Sequence, residues 1–263
     1  MQGTWFGAVS ADGAAIACEV IGDGPALLYV HGTADDRVGF DRVAPLIADK
    51  FTLFMMDRRG RGLSGDRPRY HLAREYDDVA AMADAIAAVR GEPVDVFSHS
   101  YGSLCVMGAM RLAAPLGRSL FYEPPSGVSS ATVERMVGLA AAGDYESVLR
   151  VQICDLQGQP PAVLERLKAD PNRWARYMGF APTIAREFVN ARRMRLRPGE
   201  FAGWPRRGRF IVGEVTFPPL KQHTERALLA FPHADKKILA GQAHGAMRSA
   251  PDMVAAEIRE FFD

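Results

Sequence analysis

The sequence predicts an α/β protein with a doubly wound, mostly parallel sheet, an N-terminal hairpin and a helical insertion after the sixth strand. Three observations carry this expectation. Short apolar runs bounded by turn residues alternate with stretches of helical periodicity, the pattern of strands buried on both faces by crossover helices. One such run, Val94 to Phe97, hands over to a helix through Ser98-His99-Ser100-Tyr101-Gly102, so that a serine sits between small residues at a sharp strand-to-helix turn. From Ser126 to about Pro205 the strand pattern disappears, and helical patterns separated by Gly and Pro replace it.

Trp5 to Ser10 and Ala14 to Ile21 flank the turn signal Ala11-Asp12-Gly13 and read as the opening hairpin, which Gly22-Asp23-Gly24-Pro25 ends. Ala26 to Val30 and Phe51 to Met56 are buried parallel strands, with a helix expected over about Val38 to Ala48 between them. Tyr76 to Val89 places Val79, Met82, Ile86 and Val89 on one helix face, Val94 to Phe97 follows, and Tyr101 to Leu112 is the helix behind the turn. Leu120-Phe121-Tyr122 is the sixth strand, with Glu123 at its C-terminal end and Pro124-Pro125 stopping it. Strands resume at Arg209 to Val212 and Lys236 to Leu239, with a helix from about Pro219 to Leu229 between them. Ser249-Ala250-Pro251-Asp252 reads as a capping box with Pro in the first turn of the last helix, whose stripe is Val254, Ile258 and Phe261.

A chain of 263 residues can bury one large core. A formal net charge of +1 creates no field to draw in nucleic acid or an anionic membrane, so neither is an expected partner. The stretch Met1 to Ser10 lacks a signal-peptide pattern and no apolar run reaches bilayer length, from which a soluble, cytoplasmic protein is expected. Cys18, Cys105 and Cys154 are far apart and lack metal-ligand spacing, so neither a disulfide framework nor a zinc site is expected.

Read together, the serine turn, Val30-His31-Gly32-Thr33, Met56-Asp57-Arg58-Arg59-Gly60-Arg61-Gly62-Leu63-Ser64 and Leu239-Ala240-Gly241-Gln242-Ala243-His244 resemble the α/β-hydrolase family over nearly the whole chain apart from its middle. The resemblance implies a body of residues 1–125 and 206–263, a helical cap of residues 126–205, and a Ser-acid-His triad on the body. Ser100 is the expected nucleophile and His244, after the last strand, the expected general base. The backbone N–H groups of Tyr101 and Thr33 are the expected oxyanion donors. His31 reads as a loop brace, His99 as pointing back into the fold, and His71, His223 and His233 as lying in surface segments.

Most of the family carries the triad acid as an Asp after strand 7, but this chain has Glu214-Val215-Thr216 there, with Thr216 in the Asp's place. A threonine cannot supply the charge that stabilises an imidazolium. Glu123 is the expected acid, because the end of strand 6 lies beside the serine turn and Phe121-Tyr122-Glu123-Pro124-Pro125 resembles a subset of bacterial members lacking the strand 7 Asp. Glu214 is its rival, and Thr216 is expected to matter far less.

The implied function is a serine hydrolase that cleaves an ester, lactone or thioester through an acyl-enzyme with no cofactor and no metal. The alternative is a non-hydrolytic small-molecule receptor or a biosynthetic cyclase. Large apolar cap residues, Met136, Tyr145, Trp174, Tyr177, Met178, Phe180, Phe188, Met194 and Trp204, point to a hydrophobic small-molecule partner, and a homodimer is left open. Asp57, Arg58 and Arg59 read as architectural. Arg186, Arg192, Arg193, Arg195, Arg197, Arg206, Arg207 and Arg209 read as a solvated face, or as a carboxylate or phosphate site where they turn inward.

Overall fold

The computed structural model describes residues 3–125 and 128–263. The strands are β1 (Thr4–Val9), β2 (Ala15–Ile21), β3 (Ala26–Val30), β4 (Thr52–Met56), β5 (Val94–His99), β6 (Leu116–Tyr122), β7 (Gly208–Gly213) and β8 (Asp235–Leu239). They form one sheet in the order β1-β2-β4-β3-β5-β6-β7-β8. β1 and β2 pair antiparallel as a hairpin, β2 pairs antiparallel with β4, and every later pairing is parallel. The order reverses about β3, so the loops after β3 and β5 leave the sheet side by side at its C-terminal edge, where open α/β sheets build their sites.

The helices are α1 (Leu72–Arg90), α2 (Tyr101–Arg111), α3 (Ser130–Ala141), α4 (Tyr145–Arg150), α5 (Pro161–Lys168), α6 (Pro171–Ala191), α7 (Pro218–Leu228), α8 (Ala246–Ser249) and α9 (Pro251–Phe262), with a π-turn at Val151–Leu156. Strand side chains alternate between two cores, as a period of two requires. Leu28, Val30, Phe54, Met56, Val96, Phe121 and Phe210 face the side of α1 and α2. Leu27, Tyr29, Leu53, Met55, Phe97, Leu120 and Ile211 face the side of α9. A third cluster fills the helical insertion, with Met136, Val148, Leu149, Ile153, Phe180, Ile184 and Phe188 among its members. Met194 and Trp204, expected in that insertion's core, pack instead with the sheet core. The start of the insertion at Ser126, like Met1 and Gln2, lies outside the described residues.

Two expectations fail for local reasons. Residues 38–48 form no α-helix but two 3-10 turns, Arg37–Phe40 and Ala44–Leu46. Pro45 has no N–H to give a continuing helix, and the chain closes with short bonds such as Val43 N to Phe40 O and Leu46 N to Val43 O. Ser249 does not cap α9. It ends α8, its hydroxyl bonds Gln242 Oε1 at 3.0 Å, and α9 begins after Ala250 with no side-chain cap. The helix before β5 begins earlier than its apolar stripe, because His71 caps it by accepting from Ala73 N. Among the described residues no helix is long and apolar enough to cross a membrane.

Candidate active site

Ser100 sits between β5 and α2 with φ +53° and ψ −124°, a conformation L-residues rarely adopt and one that projects the side chain above the sheet. Neighbouring glycines permit it. A Cβ on Gly102 would overlap the Val30 and His31 carbonyls, and one on Gly32 would lie 2.9 Å from Ser100 Cβ. Here, then, the loop after β3 and the start of α2 meet with no room for side chains. Ser98, standing where the family more often has Gly, is buried in β5 and donates to Ser103 Oγ at 3.1 Å.

Glu123 is fully buried at the end of β6 and also has positive φ, +48°. Its Oε2 lies 2.6 Å from His244 Nδ1, and its Oε1 accepts from Gly213 N at 2.7 Å and Thr216 Oγ1 at 2.6 Å. The carboxylate therefore has neutral donors on one oxygen and the imidazole on the other. Thr216, expected to be a bystander, is a support of the acid: the strand 7 loop that lacks an Asp supplies two hydrogen bonds to the Glu from strand 6. Gly213 is required there, since a Cβ would stand 2.6 Å from Thr216 Oγ1 and 2.8 Å from Ala243 Cα. Glu214 is exposed and its Oε2 accepts from Gly241 N at 2.8 Å, away from the His244 ring.

His244 lies in the loop between β8 and α8, which the neighbouring strands brace. His99 Nε2 is 3.1 Å from the His244 carbonyl, and the two rings lie with centroids 4.5 Å apart and planes tilted by 37°. Tyr122 donates to the Ala243 carbonyl and accepts from Ala246 N. His99 thus points into the fold, as its place in the turn implies, but its work is to hold the His244 loop. Burial, reinforced by His244, pushes its pKa well below the usual value and keeps it neutral. Since Nε2 faces a carbonyl and must carry the proton, Nδ1 is the bare nitrogen, and it has no partner among the described residues.

His31 is a brace, as read from the sequence. Its Nε2 accepts from Arg58 N at 3.0 Å, so Nδ1 carries the proton and donates to Gly32 O at 2.8 Å. Burial, with Arg58 nearby, pushes its pKa well below the usual range. The turn after β4 is architectural too. Asp57 accepts from Arg37 N and Leu63 N, while Arg59 grips Asp78 through two bonds of 2.6 and 2.7 Å and also reaches Asp12. Arg58 is fully buried, paired bidentately with Glu75 and bonded at 2.9 Å to Glu187 from α6, which Arg61 also holds at 2.7 Å. Tyr101, the first residue of α2, lies under Arg58 and bonds Tyr70.

A cavity of about 530 Å³ adjoins His244 and His99. Thr33, Ala34 and Met247 line the body side, and the π-turn, α5 and the start of α6 the other. The arginines singled out in the sequence are not in its lining. Arg186 pairs with Asp66, Arg192 with Glu134, and Arg207 and Arg209 with Asp235, while Arg193, Arg195 and Arg197 border a separate cleft beside Arg111 and Glu200. The guanidiniums that line the His244 cavity are Arg166, Arg173 and Arg248. Sequence reading missed them because Arg166 and Arg173 are ordinary amphipathic-helix residues until the insertion is folded over the body.

An open sheet whose loop after β5 carries a serine at positive φ, with a Glu–His pair on the loops after β6 and β8, defines the α/β-hydrolase class of fold. The sequence profile described as the alpha/beta hydrolase family matches residues 27–257. The chain belongs to that family. It superposes on an alpha/beta hydrolase from Sphaerobacter thermophilus with a TM-score of 0.83 and 27% identity, covering 98% of this chain and 100% of that one. An esterase from Rhodococcus shares the fold, with a TM-score of 0.72 and 19% identity over 99% of this chain and 98% of the other. A Mycobacterium tuberculosis protein named probable oxidoreductase EphD is 36% identical over 125 residues, and a 2-(acetamidomethylene)succinate hydrolase of Mesorhizobium japonicum 34% identical over 83. The matches span 46% and 31% of this chain and only 21% and 29% of those relatives' lengths.

Proposed function

We propose that this protein is a serine hydrolase that cleaves an ester, lactone or thioester through an acyl-enzyme, with Ser100, Glu123 and His244 as its triad. The observation that carries the reading is the 2.6 Å contact between Glu123 Oε2 and His244 Nδ1, beside a serine in the strained elbow conformation. With Nδ1 donating to the carboxylate, Nε2 is the bare nitrogen that takes the Ser100 proton as Oγ attacks the carbonyl carbon. The N–H groups of Tyr101 and Thr33 receive the oxyanion. His244 then protonates the leaving group and activates the water that releases the acid. No step calls on a cofactor or metal, and the insertion, taken as residues 126–205, covers the acyl or alcohol part of a small molecule with apolar character.

Ser100→Ala removes one oxygen and leaves the turn intact. Hydrolysis of p-nitrophenyl esters should be lost in it, and so should the stoichiometric fluorophosphonate labelling expected of the wild-type protein. Turnover retained in Ser100→Ala would overturn the triad. A wild-type protein that neither labels nor turns over any ester, lactone or thioester would favour a receptor or cyclase on the same fold.

A further inference from the structure

We propose that the cavity beside His244 selects substrates whose acyl part ends in a carboxylate, held by Arg166 and Arg173. This deepens the hydrolytic reading and rests on it for the chemistry. Arg166 lies in the last turn of α5 and Arg173 in the first turn of α6, so the short link between these helices brings two guanidiniums to one side of the cavity. Both are exposed, and neither has a carboxylate partner among the described residues. Asp170, between them, is turned to cap α6 and accepts from Arg173 N. Among the described residues, the one carboxylate in the cavity's lining, Asp35, is already shared by Arg248 at 3.3 Å and Arg176 at 3.6 Å. The cavity therefore has two cationic forks left over.

A second observation comes from its interior. Gln152 lines the same cavity, is only 4% exposed, and has an Oε1 with no hydrogen-bond partner among the described residues. It stands on the π-turn, a backbone irregularity that tends to mark functional positions. A wholly apolar ligand would leave this carboxamide unpaired, whereas a polar one can engage it. Between the polar groups lie Ile153, Val163, Leu167, Tyr177 and Met247, so the space suits a methylene chain with a charged end rather than a fatty tail. A carboxylate matches the planar guanidinium fork.

The test compares monomethyl adipate with methyl hexanoate, which differ in having a carboxylate or a methyl at the far end. With the full chain in a pH-stat, kcat/KM for the hemiester should exceed that for the neutral ester by about tenfold, carried mainly in KM, as expected of a charge-assisted contact. The ratio should shrink as salt rises from about 50 to about 500 mM. It should collapse toward one in Arg166→Gln/Arg173→Gln and turn to favour methyl 6-aminohexanoate in Arg166→Glu/Arg173→Glu. A merely solvated helix face would move none of these ratios. Calorimetry on Ser100→Ala with the same two esters reads the binding preference without catalysis. Arginine-dependent binding of the hemiester there, with no hydrolysis by the wild type, would sink the hydrolytic reading and keep the cavity assignment. Equal handling of the two esters by the wild type, or a preference that survives both double variants, would overturn the carboxylate proposal.

Discussion

Among the buried glutamates of this fold, Glu123 on one side and Glu75 and Glu187 on the other have surroundings that give them opposite fates. Glu123 meets a backbone N–H, a hydroxyl and an imidazole, none of which carries a fixed positive charge. Glu75 and Glu187 meet Arg58 and Arg61, two guanidiniums for two carboxylates. A carboxylate held by neutral donors keeps its field for the group beside it, and in the proposed triad that group is the His244 imidazole. One neutralised by arginine is spent on geometry: Arg58 ties the turn after β4 to α1, and through Glu187 to α6 of the insertion. On the proposed triad, burial alone does not mark a reactive acid, whereas the charge of its partners does.

The sharpest way to break that contrast is at Glu123. Glu123→Gln keeps the shape and loses the charge, and kcat for ester hydrolysis should fall by about 10³- to 10⁴-fold, the scale of removing a triad acid. Glu214→Gln, which loses an exposed contact to Gly241 N, should stay within about threefold. Steady-state kinetics on one activated ester decides it. A dead Glu214→Gln beside an active Glu123→Gln would move the acid to strand 7.

The complementary substitution acts on stability. Arg58→Met strands Glu75 in the interior and leaves Glu187 to Arg61 alone, and breaking a buried ion pair from one side costs about 3–5 kcal/mol. Denaturant unfolding should show that loss, while kcat per folded molecule changes much less than in Glu123→Gln. A loss of kcat as large as that of Glu123→Gln without loss of stability would mean that the cluster is catalytic and the contrast false.

Much of this division was legible in the sequence, and the exceptions share a cause. The hairpin, the parallel strands and the sharp serine turn follow from periodicity and turn residues, which are local, while the place of His244 follows from the resemblance to the family. Glu123 was legible because strand order places the end of β6 beside the elbow. Thr216 was not, since its value depends on facing a carboxylate 93 positions away. Arg166, Arg173 and Glu187 likewise acquire partners or a cavity only when the insertion lies on the body. The failed helix at residues 38–48 differs, because Pro45 was visible and outweighed the apolar spacing.

The two braces of the site, His31 and His99, extend the comparison to pH. Both are buried and held neutral in the folded state, with pKa values well below the ordinary histidine value. On these two rings the unfolded chain takes up protons near pH 6.5 and the folded one does not. The contribution of these two imidazoles is therefore full above about pH 6.5 and falls as pH drops, by up to about 2.7 kcal/mol per pH unit when two protons are involved. Burial pushes the Asp35 and Asp78 carboxyls up to about 6, so the folded chain takes up protons there over the same range and offsets part of that slope. The measure is the difference between wild type and His99→Asn in urea unfolding from about pH 7.5 to pH 5: the variant's slope should be smaller by up to about 1.4 kcal/mol per pH unit. Equal slopes in the two proteins would mean that the His99 imidazole accepts a proton in place.

The smallest expected effect tests how neutral donors serve the acid. Thr216→Val keeps the β-branched shape and removes one of the two hydrogen bonds to Glu123 Oε1, leaving Gly213 N. A hydrogen bond to a charged group contributes about 1.5–3 kcal/mol, but the carboxylate persists and its contact to His244 Nδ1 is untouched, so kcat should fall by only about tenfold. Thr216→Ser, which restores the donor, should recover most of the lost rate. If Thr216→Val matched wild type in rate, the strand 7 loop would be scaffolding for Gly213 alone, and the charge on Glu123 would need no support from the place where the family keeps its aspartate.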